Sequence, residues 1–194
     1  MDQNESPAAV GAHRARASVR RRKAVMTLEN ILGLEARLPC ATFAIAPGAT
    51  GDIPEILRLL RTRRMPSGLP LKFARTPALL AANWPRVHWI LAKRGGTLVG
   101  CLELRPLAGE PGAWEMGSFS QAADNGNPRV PVKLMVAGFG KLVELHAHRA
   151  VVEIHRQNQA MWRFLSRLPF ERDGEPASHP DFIRCSMVLH SSAP

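Results

Sequence analysis

Two short segments of the chain carry the side chains best suited to proton transfer, a glutamate and a histidine. Glu115 stands between Trp114 and Met116, and apolar surroundings raise the pKa of a carboxyl group toward a range useful for catalysis. An exposed glutamate on a strand is the alternative interpretation of this position. His155 directly follows the buried-looking run 151–154, where it is placed to reach a cleft and act in catalysis.

Metal and disulfide chemistry find little support in the sequence. His146 and His148 are two residues apart, so on a helix they do not share a face and make a poor metal pair. Cys40, Cys101 and Cys185 lie far apart without a Cys-x-x-Cys motif. Such a sparse, odd set is typical of a reducing compartment. We therefore expect a cytoplasmic protein without a metal site.

The elements that must position the candidate residues alternate between strands and helices. The residue pattern predicts strands at 41–45, 87–93, 97–104, 113–119, 151–154, 170–175 and 182–189, and helices that begin at Asp52, Thr76, Asn127 and Asn158. The segment 94–96 is the turn of a β-hairpin. This order predicts an α/β (α+β) fold, with a mixed, mostly antiparallel central sheet and helices on both faces.

Chain length and charge set the domain organisation. The 194 residues suffice for one domain with a substantial core, and we assign that domain to residues 26–194. No apolar run reaches the roughly 18–20 residues that a membrane span needs. Residues 1–25 hold six basic and two acidic residues without apolar periodicity, which predicts a flexible basic arm. The net charge of +10 favours polyanionic partners, among them nucleic acid and phosphate-bearing cofactors.

Three segments in this order resemble the GNAT superfamily of N-acetyltransferases. Residues 44–56 look like the family's opening strand, turn and acid-capped helix, and residues 91–102 look like its central hairpin. Residues 152–170 resemble its closing signature, with Asn158 followed by an apolar helix and by the triplet 168–170. The resemblance spans roughly residues 41–189.

The sequence departs from the family pattern at three places. The family's pyrophosphate loop, Arg/Gln-x-x-Gly-x-Gly/Ala, is replaced by residues 124–129, where Gly126 alone matches. The family's general-acid tyrosine would fall at Leu165, and the chain contains no tyrosine. Pro169 stands where the family has the glycine of Leu-Gly-Phe. The resemblance is therefore to a divergent member with a degenerate pyrophosphate loop.

The resemblance implies transfer of an acyl group from acetyl-CoA or another acyl-CoA to an amine by direct attack. It makes Glu115 the general base, with His155 as a second catalytic candidate. A bulge at Gly117 would open the sheet for the pantetheine arm, and Asn158 would hydrogen-bond the cofactor. The enzyme interpretation requires a V-shaped split between the central strands, beside the amino end of the long helix.

The pyrophosphate would lie at the amino end of the long helix, near Gly126, Asn127, Arg129 and Val130. Unpaired amides and the helix dipole favour an anion there. Two prolines, at 128 and 131, remove amide donors from this segment. An ordinary capped helix after a polar loop is the alternative for these residues, as a plain helix cap is for Asn158.

The expected partners are an acyl-CoA and an amine-bearing small molecule or protein acceptor. An acyl carrier protein, nucleic acid and a second copy of the chain in a homodimer are further expectations from the basic charge and the resemblance. The alternative function is that of a catalytically inactive GNAT-like binding module, which uses its basic surface to bind nucleic acid or an acidic protein. The sequence leaves the acyl length and the acceptor open.

Overall fold

The computed structural model describes residues 27–37, 42–62, 76–173, 177 and 180–189. The predicted basic arm at 1–25 therefore lies outside the described residues, and the single domain at 26–194 stays a prediction. The helices are α1 (Leu28–Arg37), α2 (Ile53–Thr62), α3 (Pro77–Asn83), α4 (Arg129–Glu144) and α5 (Gln159–Leu165). The strands are β1 (Ala44–Pro47), β2 (His88–Arg94), β3 (Thr97–Pro106), β4 (Ala113–Gln121), β5 (Arg149–His155), β6 (Glu171–Arg172) and β7 (Phe182–Val188).

The described strands form one sheet in the order β1-β2-β3-β4-β5-β7-β6. Neighbouring strands are antiparallel, apart from β4 and β5, which pair in parallel. Helices α1, α4 and α5 pack on one face of the sheet, and α2 and α3 pack on the other. The predicted mixed, mostly antiparallel sheet with helices on both faces is thereby confirmed.

The β2–β3 hairpin has the turn that its glycines predict. Gly95 and Gly96 have φ values of +54° and +82°, the left-handed region that tight hairpin turns require. Beside this turn, the Lys93 Nζ lies 2.6 Å from an Asp52 carboxylate oxygen. The other oxygen of Asp52 accepts a hydrogen bond from the Ala49 amide at 2.9 Å. Asp52 thus ties the 3₁₀ turn ahead of α2 to the hairpin.

Helix α1 is an element that the sequence did not predict. Ile31 is 1% exposed and belongs to the same buried cluster as α4. The Thr27 hydroxyl accepts a hydrogen bond from the Asn30 amide at 3.3 Å, which caps the helix. A ten-residue helix of this kind is marginal alone and depends on packing for its stability. No helix in the described ranges is long and apolar enough to cross a membrane.

Two glycines let α4 approach the sheet closely. A Cβ atom at Gly100 would lie 2.7 Å from a methyl group of Val130, and one at Gly138 would lie 2.6 Å from a methyl group of Leu102. A Cβ atom at Gly140, on the same helix, would meet nothing within 4 Å. Helix and sheet therefore form a dense interface with little room for a ligand between them.

Candidate active site

Strands β4 and β5 separate shortly after they meet. They pair only through Ala113–Arg149, Trp114–Ala150 and Glu115–Val151, yet β4 continues to Gln121 and β5 to His155. At roughly 3.3 Å per residue, β5 runs on for about 13 Å without β4 beside it. A V-shaped split thus opens toward the amino end of α4, as the enzyme interpretation requires.

A β-bulge lies at the edge of this split. Glu103 pairs with Gly117 and Cys101 pairs with Ser120, so two residues of β4 oppose one residue of β3. Ser118 has a φ of +50°, a value rare for a residue other than glycine. The sequence predicted the bulge at Gly117, and it lies one residue further on. The proposed contact between Gly117 and a cofactor remains a prediction.

Glu115 is held in a two-point ion pair with Arg105 of β3. The Arg105 Nε lies 2.9 Å from one carboxylate oxygen, and Nη2 lies 2.7 Å from the other. Trp114 and Met116 join the core on the opposite face of the sheet, because successive residues of a strand alternate in direction. The apolar surroundings expected for Glu115 are therefore replaced by a guanidinium group. Its role as general base stays a prediction.

Three carboxylates surround Arg105. Burial alone would lower the pKa of its guanidinium, but the charges of Glu115, Glu103 and Glu153 outweigh burial and raise that pKa. These side chains come from three neighbouring strands, β3, β4 and β5. Arg105 is therefore permanently charged and holds Glu115 as a carboxylate.

Glu103 is the functional candidate that sequence reasoning missed. It is 3% exposed, and one of its carboxylate oxygens accepts a hydrogen bond from the Ser118 hydroxyl at 2.7 Å. The bulge thus turns the Ser118 side chain toward this carboxylate. A single charge in the middle of the apolar strand 97–104 is the signal that could have found it, since buried carboxylates are rare without a partner or a function.

A cavity of about 440 Å³ adjoins Glu103 on the α3 face of the sheet. Helix α3 and the turn that follows it form one wall, and strands β2 and β3 with the segment after β3 form the other. Its lining includes Leu80, Asn83 and Arg86 on the helix side and Trp89, Glu103 and Arg105 on the sheet side. The structure therefore brings a buried carboxylate, a guanidinium and an apolar chamber together at one edge of the split.

The first turn of α4 uses its own amides. The Asn127 side-chain oxygen accepts a hydrogen bond from the Arg129 amide at 3.0 Å, and the Asn127 carbonyl accepts one from the Val130 amide at 3.3 Å. Pro128 and Pro131 have no amide to donate. Val130 is fully buried. The helix therefore starts as an ordinary capped helix, the alternative that the sequence left open for these residues.

The loop ahead of α4 keeps more capacity for an anion. Gly126 is exposed, and nothing lies within 4 Å of the position a Cβ atom would take there. Asn125 is 5% exposed, and its side-chain oxygen accepts a hydrogen bond from Arg94 Nη2 at 3.2 Å. The buried Nδ2 of Asn125 finds no hydrogen-bond acceptor among the described residues. Open backbone and nearby cations thus suit a phosphate group better than the helix turn itself does.

His155 and Asn158 have structural partners at the end of β5. His155 is 9% exposed, its Nδ1 accepts a hydrogen bond from the Gln157 amide at 3.2 Å, and its ring packs edge-on against Phe182. Asn158 caps α5 by accepting from the Met161 amide at 3.1 Å. Since Glu115 is level with Val151, His155 lies about 13 Å further along the neighbouring strand, so the two catalytic candidates are not brought together. Their functional roles remain predictions.

An aromatic pair spans the split on the α4 face. Phe119 of β4 and Phe164 of α5 stack with ring centroids 6.4 Å apart. Leu165, the position of the family's tyrosine in the sequence resemblance, is buried in the core. Among the described residues no group of three or more histidine, cysteine, aspartate or glutamate side chains is arranged to hold a metal ion.

Comparison with known proteins finds similarity in structure but not in sequence. No protein-family model matches the chain, and no curated protein matches it. The PaiA N-acetyltransferase from Thermoplasma acidophilum, in complex with coenzyme A, superposes with a TM-score of 0.61 at 13% identity, over 76% of this chain and 99% of that one.

Two further solved structures agree with this match. Ard1 from Thermoplasma volcanium gives a TM-score of 0.63 at 18% identity, over 78% of this chain and 100% of that one. The ribosomal-protein-S18-alanine N-acetyltransferase from Escherichia coli gives 0.62 at 13% identity, over 78% and 96% of the two chains. Topology, split and superposition together show that this chain has the fold of the GNAT N-acetyltransferases.

Proposed function

We propose that the protein transfers an acyl group, acetyl in the first instance, from an acyl-CoA to an amine by direct attack of the amine on the thioester. The observation that carries this proposal is the split between β4 and β5, with the buried Glu103 carboxylate and its cavity at the edge of the split. N-acetyltransferases of the same fold support it, one of them solved in complex with coenzyme A.

The residues fit a coenzyme A thioester in part. The split offers a passage for the pantetheine arm, and the open backbone at Gly126 with Arg94 and Arg129 nearby suits the phosphates. The first-turn amides of α4 are already bonded or absent at Asn127–Pro131. Recognition of the phosphates therefore depends on the loop and its cations, and Val130 contributes packing rather than a donor. Asn158 serves first as the cap of α5.

The acceptor nitrogen must lose a proton as its bond to the acyl carbon forms. We assign that proton to Glu103, because both carboxylate oxygens of Glu115 already bind Arg105. Glu115 then orients Arg105, and the Ser118 hydroxyl orients Glu103. A positioned base contributes about 10²–10⁴-fold to such a reaction, and alignment of the two reactants contributes much of the rest. The thiolate of the donor leaves and takes up a proton from solvent.

Thermal unfolding with acetyl-CoA, longer acyl-CoAs and free CoA tests the donor. A ligand that binds the folded chain more tightly than about 100 μM raises the melting temperature at millimolar concentration. Pantetheine without the nucleotide is the control, since it lacks the phosphates that the loop would bind. We expect a shift with the acyl-CoAs and a smaller one with pantetheine. Absence of a shift with every donor would count against acyl transfer.

The second candidate function is a GNAT-like binding module for nucleic acid or an acidic protein. The observation that favours it is the closed first turn of α4, whose amides are spent within the protein. Binding to nucleic acid that weakens steeply with salt, together with no response to acyl-CoA, would support the module. An acyl carrier protein as donor, a homodimer and a cytoplasmic location remain proposals under either function.

A further inference from the structure

We propose that the acceptor is a small primary amine with an apolar body, bound in the cavity between α3 and strands β2–β3 with its nitrogen facing Glu103. This inference rests on the proposed acyl transfer and adds the chemical class of the acceptor. A protein or peptide acceptor is the competing class, and the experiments below distinguish the two.

The size and lining of the cavity favour a small molecule. Its volume of about 440 Å³ falls within the range of small-molecule sites, roughly 300–1,000 Å³. Apolar side chains from both walls dominate the lining: Leu79, Leu80, Val87, Trp89, Pro106 and Leu107. Such a chamber gains free energy by taking an apolar body out of water.

The charge at the inner end of the cavity favours a cation. Glu103 lines the cavity and is almost fully buried, and burial strengthens its attraction for a charged group. Arg105 also lines the cavity, but Glu115 binds it through both oxygens, and Glu153 lies near it as well. Three carboxylates thus face one guanidinium, which leaves an excess of negative charge for an ammonium group.

The position of Glu103 links the cavity to the split. Glu103 pairs with Trp89 of β2 on one side and with Gly117 of β4 on the other. It also contacts the bulge through the Ser118 hydroxyl. Neighbouring strands are about 5 Å apart, and the split lies on the far side of β4. A nitrogen held at Glu103 therefore lies at the border between the cavity and the place where the donor thioester would enter.

Calorimetric titration of the full chain without any donor tests the inference. The probes are phenethylamine and isopentylamine, with 2-phenylethanol and 3-phenylpropanoate as uncharged and anionic counterparts of the first. We expect the amines to bind at least about tenfold more tightly than the alcohol, as for one hydrogen bond to a charged group, and the acid to bind least. Glu103→Gln keeps the shape of the side chain and should abolish the preference for the amine.

A second pair of variants tests the location. Ala108 is exposed and lines the cavity, so Ala108→Phe should fill the mouth and weaken amine binding at least about tenfold without disturbing the core. Ala82→Phe is the matched control, because Ala82 is exposed on α3 outside the cavity lining. This control should bind phenethylamine like the unaltered protein.

The outcomes separate this inference from the proposed function. Equal binding of amine and alcohol, no amine binding at millimolar concentration, or binding that ignores Ala108→Phe would overturn the inference. Amine binding without any acyl transfer would count against the proposed function alone, and the assigned cavity would stand. Transfer to a peptide amino terminus with no binding in the cavity would support acyl transfer and overturn the small-amine acceptor.

Discussion

The two faces of the sheet beside the split are built in opposite ways from the same two strands. On the α4 face, Leu102, Leu104 and Met116 are buried against a helix that two glycines bring close. On the α3 face, the intervening residues Glu103, Arg105 and Glu115 are charged, and a cavity adjoins them. Alternation along β3 and β4 thus separates a dense structural interface from a polar chamber a few ångströms away.

The comparison teaches where chemistry can reside in this molecule. A face packed to core density has neither space for a ligand nor tolerance for charge. The amino end of α4 belongs to that packed side, since Val130 is fully buried and Asn127 bonds the first-turn amides. The acceptor side has space and charge, whereas the expected donor side is largely occupied by the protein itself.

The largest expected effect comes from Glu103→Gln in the acyl-transfer assay. Loss of the proton acceptor should lower kcat by about 10²–10⁴-fold and leave acyl-CoA affinity unchanged. Glu115→Gln should lower kcat less, because it disturbs Arg105 rather than the proton acceptor. Steady-state kinetics with calorimetry of donor binding checks both variants. A larger loss for Glu115→Gln would return the role of general base to Glu115, as the sequence predicted.

Alanine at the two glycines of α4 should shift stability in opposite directions. Gly140→Ala should raise the free energy of unfolding by about 0.5–1 kcal/mol, because alanine is the better helix former and nothing lies near. At Gly138 the new Cβ would meet Leu102 at 2.6 Å and Met116 at 2.8 Å, and overpacking costs about 1–3 kcal/mol.

Urea denaturation of both variants measures this difference. The unfolding midpoint of Gly138→Ala should fall below that of Gly140→Ala, with equal slopes in the two transitions. Equal midpoints would mean that the α4 face has slack, and the contrast between the packed face and the chamber would lose its basis.

Opening the first turn of α4 should separate stability from donor binding. Asn127→Gly removes the side-chain oxygen that accepts from the Arg129 amide, at a cost of a few tenths of a kcal/mol in stability. The freed amide can then donate to a phosphate group, and we expect CoA to bind about threefold more tightly or better. Calorimetry with CoA and thermal unfolding are the measurements. Weaker CoA binding in this variant would show that Asn127 itself contacts the donor.

The smallest expected effect is a pH dependence on the packed face. Burial lowers the pKa of His88, and the charge of Lys141 lowers it further against the opposing charge of Glu144. The unfolded chain therefore binds a proton at His88 more readily than the folded chain does. The free energy of unfolding should be highest above the ordinary histidine pKa of about 6.5 and should fall as the pH drops through the lower folded-state value.

His88→Gln removes this titration and supplies the control. The variant should lose part of the slope in unfolding free energy below about pH 6.5, as measured by urea denaturation over a pH series. A slope identical to that of the unaltered protein would mean that His88 does not feel the packed face.

Short-range features of the sequence determined most of the fold. The glycine pair at 95–96, the apolar spacing in α2 and α4, and the capping residues Thr76 and Asn158 each act over one to four residues, so they are readable without tertiary knowledge. Their order also carried the GNAT resemblance, which the structural comparison bears out at the level of the fold. The short helix α1 was missed because packing against α4, rather than its own pattern, stabilises it.

Only the tertiary structure decided the content of the site. Which neighbour of a strand residue shares its environment depends on the face it occupies, so Trp114 and Met116 say little about the surroundings of Glu115, and Arg105 says a great deal. The bulge at Ser118 and the departure of β4 from β5 depend on the pairing of distant strands. The sequence by itself determined the elements and their order, because those are local. Partners of charged groups and empty space are properties of the assembled sheet, so the chamber beside Glu103 became visible only in the folded chain.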